Sequence, residues 1–339
     1  MRIRWAPAAS LALLWGCSSA AGTAVPRAPL AVDAPAAAPD RRGIVRLFDD
    51  TYGDAVPAGI TAGPDGDVWF TDPGNDVIGR ITVRGKYKLQ ARAGAEVSDG
   101  ITTGPDGALW FTTQESQPQI GRITTKGAVT LFADSGGEFP HGITTGPDGA
   151  LWFAESNGRV GRMTTDGQVV HYDVAPSDAT LEGIVTGPDG ALWVTQNVVG
   201  GSRFSNRVIR VTTKGRKKSF TVGSGPDFIC VGPDGALWFT EEASAAIGRL
   251  TTTGAFTEFK LSDPNAQPSG IAVGPDGAFW FTDFSGVAGI GRMTIAGKSR
   301  FYKVPGAGPE LDQITAGPDG AMWFTSALGP SAIGRITTR

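Results

Sequence analysis

One position, recurring seven times along the chain, holds most of the side chains able to do chemistry. Immediately before the start of a repeated strand stand Ala58, Asp99, His141, Glu182, Asp227, Ser269 and Asp312. A second set, three residues after a recurring Trp, comprises Asp72, Thr113, Glu155, Gln196, Glu241, Asp283 and Ser326. Four carboxylates and one His gathered at a narrow opening repel one another unless a cation or hydrogen-bond donors offset them. That points to a hard, oxygen-liking ion such as Mg²⁺ or Ca²⁺; the alternative is a solvated rim around a water-filled channel. His141 stands out, with Glu138 three residues before it and Glu155 in the same unit. An imidazole beside carboxylates suits a general base near neutral pH or a metal ligand; a hydrogen-bonded rim His is the plain alternative. His171, in Val170-His171-Tyr172, reads as a surface residue, and Cys230 as a small buried filler. No Gly-x-Ser-x-Gly elbow, His-Glu-x-x-His helix or phosphate loop occurs, so serine hydrolase, zincin and nucleotide enzyme readings lack support.

The elements that position these residues follow from internal repetition. Gly-Pro-Asp-Gly begins at Gly63, Gly104, Gly146, Gly187, Gly232, Gly274 and Gly317, at intervals of 41, 42, 41, 45, 42 and 43 residues. Each copy is followed by a Trp (69, 110, 152, 193, 238, 280, 323) and then by an Arg (80, 122, 162, 210, 249, 292, 335). Each unit reads as four short strands. In the third, Gly142–Thr145 is the first strand and Pro147-Asp148-Gly149 makes a tight turn. Ala150–Ala154 is an apolar second strand, Val160–Thr164 the third and Gln168–Tyr172 a more polar fourth. The Gly of Ile-Gly-Arg is expected to leave room for a neighbouring Trp ring. Seven such units predict an all-β, seven-bladed propeller of four-stranded antiparallel blades. After Arg335 only four residues remain, and Ile44–Phe48 matches fourth-strand text, so the N-terminal strand is expected to complete the last blade and remove free sheet edges. The Gly-Pro-Asp-Gly turns share one face; the variable loops, and therefore binding, belong on the other. The upper loop of the fourth unit, Asn197–Asn206, is the longest and reads as a plain insertion or a movable cover.

Composition sets limits. Gly is 49 of 339 residues without a collagen period, and no apolar run reaches 18 residues, so an ordinary membrane span is not expected. Two Cys rule out a disulfide scaffold. A net charge of −3 without a basic block argues against a nucleic-acid partner. Arg2 and Arg4 precede a short apolar stretch that runs into Leu14-Trp15-Gly16-Cys17, so residues 1–17 resemble a lipoprotein export signal with Cys17 as the lipidated residue. A plain secretory signal is the alternative; both put the mature chain outside the cytoplasm, with the lipid anchor as its only membrane contact. From 18 to 43, 13 of 26 residues are Ala or Pro, the composition of a spacer. The propeller is expected over 44–339, as a monomer binding a small-molecule or peptide ligand at its channel mouth.

The repeated Gly-Ile-Thr-x-Gly-Pro-Asp-Gly-Ala-Leu-Trp-Phe-Thr-Glu followed by Ile-Gly-Arg-Ile-Thr-Thr resembles the streptogramin B lyase (virginiamycin B lyase) family over roughly residues 44–339. The resemblance implies a seven-bladed propeller that linearises cyclic depsipeptides by elimination at the ester, with Mg²⁺ and a His base. Only the third unit has the family's active-site pattern: Glu138, Pro140-His141-Gly142-Ile143, then Trp152-Phe153-Ala154-Glu155. On that pattern His141 is the base, and Glu138 and Glu155 hold the metal. The chain departs from the family in the spacing of both Glu residues, and in having Asp99 where the family has a second His. A non-catalytic recognition propeller using the same acidic mouth is the other reading.

Overall fold

The computed structural model describes residues 42–49, 55–197, 206–285, 289–306, 310–327 and 332–339. The signal, Cys17, the spacer up to residue 41 and most of the fourth unit's long loop lie outside them. The chain builds seven four-stranded antiparallel sheets, and consecutive strands pair within each. Blade three, for instance, comprises Pro140–Thr145, Leu151–Glu155, Arg159–Met163 and Val169–Asp173. In the last blade Val45–Asp49 pairs with Ala332–Thr337, Val45 opposite Ile336 and Phe48 opposite Ile333. The ring closes as the repeat count requires. Thr325 Oγ1 donates to the Ala58 carbonyl at 2.8 Å, stitching the last blade to the first.

Each blade is pinned by one carboxylate. The Asp of Gly-Pro-Asp-Gly accepts the indole N–H of the following Trp at 2.9–3.0 Å in all seven blades. In six blades its other oxygen takes the Arg Nε at 2.5–2.8 Å. In the first, Arg80 Nε turns to Asp67 at 2.7 Å while an Nη stays 3.0 Å from Asp65. Six of the Trp rings stack on an aromatic of the outer strand, with centroids 5.3–5.6 Å apart; in the last blade that partner is Phe48, from the N-terminal strand. The other face of each Trp belongs to the next blade: Trp152 packs with Leu192, Val194 and Ile209. The apolar core therefore lies between blades.

The Gly of Ile-Gly-Arg makes room for a different ring from the one expected. A Cβ on Gly161 would lie 2.0 Å from the Phe153 ring, and Gly79 repeats this with Phe70 at 2.1 Å. The Trp ring instead crowds the first Gly of each Gly-Pro-Asp-Gly, as at Gly146, 2.3 Å from Trp152. Blade four exchanges the volumes: Val194 replaces the Phe and, directly opposite, Ile209 replaces the Gly. Cys230 is half-buried beside the Trp238 cluster, and burial pushes its thiol up to about 12, so it is an inert filler.

Burial pushes the carboxyls of Asp106, Asp148, Asp189, Asp234, Asp276 and Asp319 upward. The bonds from Trp, Arg and backbone N–H outweigh it and hold all six below the ordinary 3.8. Groups lowered on folding stabilise fully above their unfolded pKa and lose that contribution as pH falls through the folded one. Thermal scans are expected to show the Tm falling steeply below about pH 4. Asp148→Ala, which strands the Trp152 N–H and Arg162, is expected to cost about 1–3 kcal/mol in urea unfolding.

Candidate functional site

The first strands surround the axis, and in six of the seven blades the ladder shifts register at their upper ends. In blade three Pro140 pairs with Glu155 and Ile143 with Phe153, so one extra residue is inserted and His141 falls in the bulge. A bulge re-aims a side chain that the pleat would otherwise bury. Asp99, Glu182, Asp227 and Asp312 occupy the matching irregularities, all half-buried. The blades approach closely there: a Cβ on Gly100 would lie 2.2 Å from the His141 carbonyl oxygen, and one on Gly59 2.0 Å from that of Asp99. Gly is required because neighbouring backbones touch.

His141 sits between two blades' functional groups. Its Nδ1 is 3.7 Å from Glu182 and its Nε2 2.9 Å from Ser156 Oγ. If Nδ1 carries the proton, Nε2 is free to accept the Ser156 hydroxyl, whose other acceptor is the Phe139 carbonyl at 3.4 Å. Ala154 lies where the other blades carry Thr. In blades one, two, four, five and seven that hydroxyl accepts the N–H following the mouth residue, as Thr195 does from Gly183 at 2.9 Å. Gly142, next to His141, lacks that acceptor. Phe139, two residues before the His, holds a φ of 37° and is exposed, an apolar surface kept at the mouth at the cost of backbone strain.

The carboxylates sense one another. Burial, then Glu182, Asp312, Asp99 and Glu242, pushes Asp227 well above its ordinary value. Burial and Asp99 push Asp312 up to about 7, although Ser269 Oγ donates to it at 3.4 Å. Glu182 is also raised, by burial first, against the pull of His141. Asp99 is fastened by Ser98 Oγ at 2.9 Å, and its carbonyl by Gln313 Nε2 at 2.9 Å. Ser156, Glu242 and Gln313 are mouth residues that the sequence reading missed. Ser156 and Glu242 share one repeat position, four after the Trp, and that alignment was the available signal.

The metal set implied by the resemblance does not gather. Glu138 is exposed, and only its backbone N–H reaches toward Glu155. Glu155 is fully buried and faces away from His141, toward His171 Nε2 at 3.5 Å. The second set as a whole is buried at the strand ends, where Asp72 and Asp283 accept backbone N–H groups of the incoming connection from Val56 and Gln267. His171 corrects the surface reading: its side chain is 6% exposed and bonds Asp134 at 2.8 Å, because its side of the outer strand faces blade two. Among the described residues the one convergent trio of possible ligands is Asp134, Glu155 and His171; the mouth carboxylates form none.

The raised mouth carboxyls stabilise the fold least where they are ionised. A group whose pKa rises on folding contributes below its unfolded pKa and loses that contribution as pH climbs through the folded one. Asp227→Asn is therefore expected to raise the Tm at pH 8 and to leave it nearly unchanged at pH 4, read by thermal scans of both proteins across that range.

The sequence profile of the virginiamycin B lyase family matches residues 51–202 and 200–339. Among solved structures, a streptogramin B lyase is 33% identical with a TM-score of 0.77, covering 87% of this chain and 97% of its own. A virginiamycin B lyase from Staphylococcus aureus is 34% identical with a TM-score of 0.79, covering 87% and 99%. A catalytically inactive His-to-Ala variant of the S. aureus lyase, with quinupristin, is 35% identical with a TM-score of 0.77 over the same shares. Nothing among curated protein sequences matches. A profile spanning nearly all of the propeller, and solved relatives a third identical over 87% of the chain, carry one conclusion: this chain belongs to the virginiamycin B lyase family.

Proposed function

We propose that the chain is a carbon–oxygen lyase that opens a cyclic depsipeptide or related ester at the channel mouth, with His141 as the base. The observation that carries this reading is the placement of His141 in a mouth bulge, with Glu182 at Nδ1 and Ser156 at Nε2. Glu182 favours the tautomer whose Nε2 is free to take a proton and then stabilises the imidazolium, the role of an orienting carboxylate. Displacing the Ser156 hydroxyl exposes Nε2 to a C–H next to a carbonyl. The electron pair of that bond forms a C=C bond as the ester C–O bond on the adjacent carbon breaks. The product is a ring-opened isomer of the substrate, bearing a carboxylate, and the proton held on His141 returns to solvent.

Negative charge developing at a carbonyl beside an acidic ring needs donors. Burial and its acidic neighbours raise Asp227 toward the neutral form that can donate a hydrogen bond, a use of raised carboxyls known in enolate-forming sites. The Gly142 N–H, without a Thr acceptor, is a second. Among the described residues Glu138 and Glu155, expected to hold Mg²⁺, do not converge beside His141, so no step is routed through the ion. The solved relatives support the substrate class: an inactive His-to-Ala lyase variant was seen with quinupristin. The export signal expected at Cys17 fits action outside the cytoplasm, on a ligand arriving from solution.

A second reading rests on Ser156. A hydroxyl 2.9 Å from an imidazole flanked by a carboxylate is also the geometry of an activated nucleophile. The two differ in product: hydrolysis adds one water, elimination none. Incubation with quinupristin is expected to give a linear isomer of unchanged mass. His141→Ala is expected to lower kcat/KM by about 10²–10⁴-fold and Glu182→Gln by a smaller factor, with Ser156→Ala retaining most activity. Unchanged turnover in His141→Ala sinks the lyase reading. A heavier product lost in Ser156→Ala supports hydrolysis, and saturable binding without product leaves a recognition propeller.

A further inference from the structure

We infer that Asp134, Glu155 and His171 form a structural site for a divalent transition ion such as Zn²⁺ or Mn²⁺, buried between blades two and three and separate from the channel mouth. The inference does not depend on the activity proposed above. The three side chains come from three elements. Asp134 begins the connection out of blade two, Glu155 ends the second strand of blade three, and His171 lies on its outer strand. One ligand atom from each lies within 4.8 Å of the others. Asp134 is 2% exposed and Glu155 is fully buried. His171 Nε2 lies 2.8 Å from Asp134 Oδ1 and 3.5 Å from Glu155 Oε1.

Three of the four carboxylate oxygens in the site lack hydrogen-bond partners. Neither carboxylate oxygen of Glu155, nor Oδ2 of Asp134, has a hydrogen bond. Two buried carboxylates this close are costly to ionise together, and a cation between them is one remedy. Arg159 lies close enough to act on Glu155, but its Nη1 is committed to the Gly136 carbonyl. Gly137 roofs the site: a Cβ there would lie 1.9 Å from Asp134 Oδ2 and 2.4 Å from Glu155 Oε1. A surface cavity of about 290 Å³ lined by Gln117, Asp134 and Gly137 supplies a way in.

The donor set selects the ion. An imidazole nitrogen with two carboxylate oxygens suits Zn²⁺ or Mn²⁺, whereas Mg²⁺ and Ca²⁺ prefer oxygen alone. Metal–ligand bonds of about 2.0–2.1 Å at tetrahedral angles put ligand atoms about 3.3 Å apart. The separations of 2.8 and 3.5 Å from Nε2 bracket that value, so small side-chain movements suffice. Such an ion cross-links the connection that leads from Asp134 to His141 to two strands of the blade carrying the base.

The test uses the purified full-length chain, stripped with chelator and titrated calorimetrically with Zn²⁺ and separately with Mn²⁺, with a Tm recorded at each saturation. We expect one ion per chain for at least one metal and a chelator-reversible Tm rise of about 5 °C. Both are expected to be lost in Glu155→Gln and His171→Gln and kept in Asp312→Asn. Stoichiometry and chelator reversal in the unaltered chain stand on their own should a variant fail to fold. No binding by the unaltered chain, or binding that survives both pocket variants but is lost in Asp312→Asn, overturns the inference. Because both readouts are independent of turnover, loss of activity in His141→Ala leaves them untouched.

Discussion

The propeller depends on one carboxylate per blade holding two partners at once. The Asp of each tight turn takes the Trp indole N–H with one oxygen and, in six blades, the Arg guanidinium with the other. It thereby fixes the turn, the second strand and the third strand together. With its N–H satisfied, the Trp ring can be wholly buried without an orphaned donor, and all seven rings are. Since each ring packs into the next blade, no blade owns a core, and the stability of each sheet is borrowed from its neighbour. Closure by Val45–Asp49 follows from that arrangement, because without it Trp323 would lose Phe48 and the last sheet its outer strand.

Against this uniform scaffold, the proposed chemistry sits where one unit breaks the pattern. Blade three carries His141 at the mouth, Ala154 in place of the stitching Thr, Ser156 beside the imidazole, and Glu155 turned toward His171. Asp134 approaches from the blade before. The two clusters lie on opposite sides of one strand end: His141 faces the channel, and Glu155 faces the seam between blades. A residue pair that looks continuous along the sequence is thus divided by the pleat, since adjacent ligands on neighbouring strands can point to opposite faces.

The charge of the mouth has a cause in the geometry. Seven strands converging on an axis bring side chains from distant units into one small volume, and here four of them are acids. Burial first, and then the neighbouring carboxylates, raises Asp227, Asp312 and Glu182 together. Raised carboxyls leave the mouth less negative near neutral pH than four freely ionising acids would make it. The clasp aspartates, on the opposite face, are also pushed up by burial but end below their ordinary value because Trp, Arg and backbone donors outweigh it. Burial alone does not set the sign of a shift; the available donors decide it.

Spacing along the chain was enough to fix the blade number, the strand count and the N-terminal closure, because a repeat of Trp, Arg and turn residues leaves few ways to bury seven apolar faces. It also singled out His141, Asp99, Glu182, Asp227 and Asp312, since residues at one repeat position must share one level of a closed ring. It misjudged His171, whose outer strand looks exposed until the neighbouring blade covers its face, and it paired Glu155 with His141 when the strand pleat turns the two apart. It read the turn Asp as conformational, whereas the fold makes it the clasp. The bulge that aims His141, the empty bonding capacity of Glu155 and the approach of Asp134 and Ser156 arise from contacts between strands and between blades. No one-dimensional spacing encodes those contacts, and so only the tertiary structure could decide them.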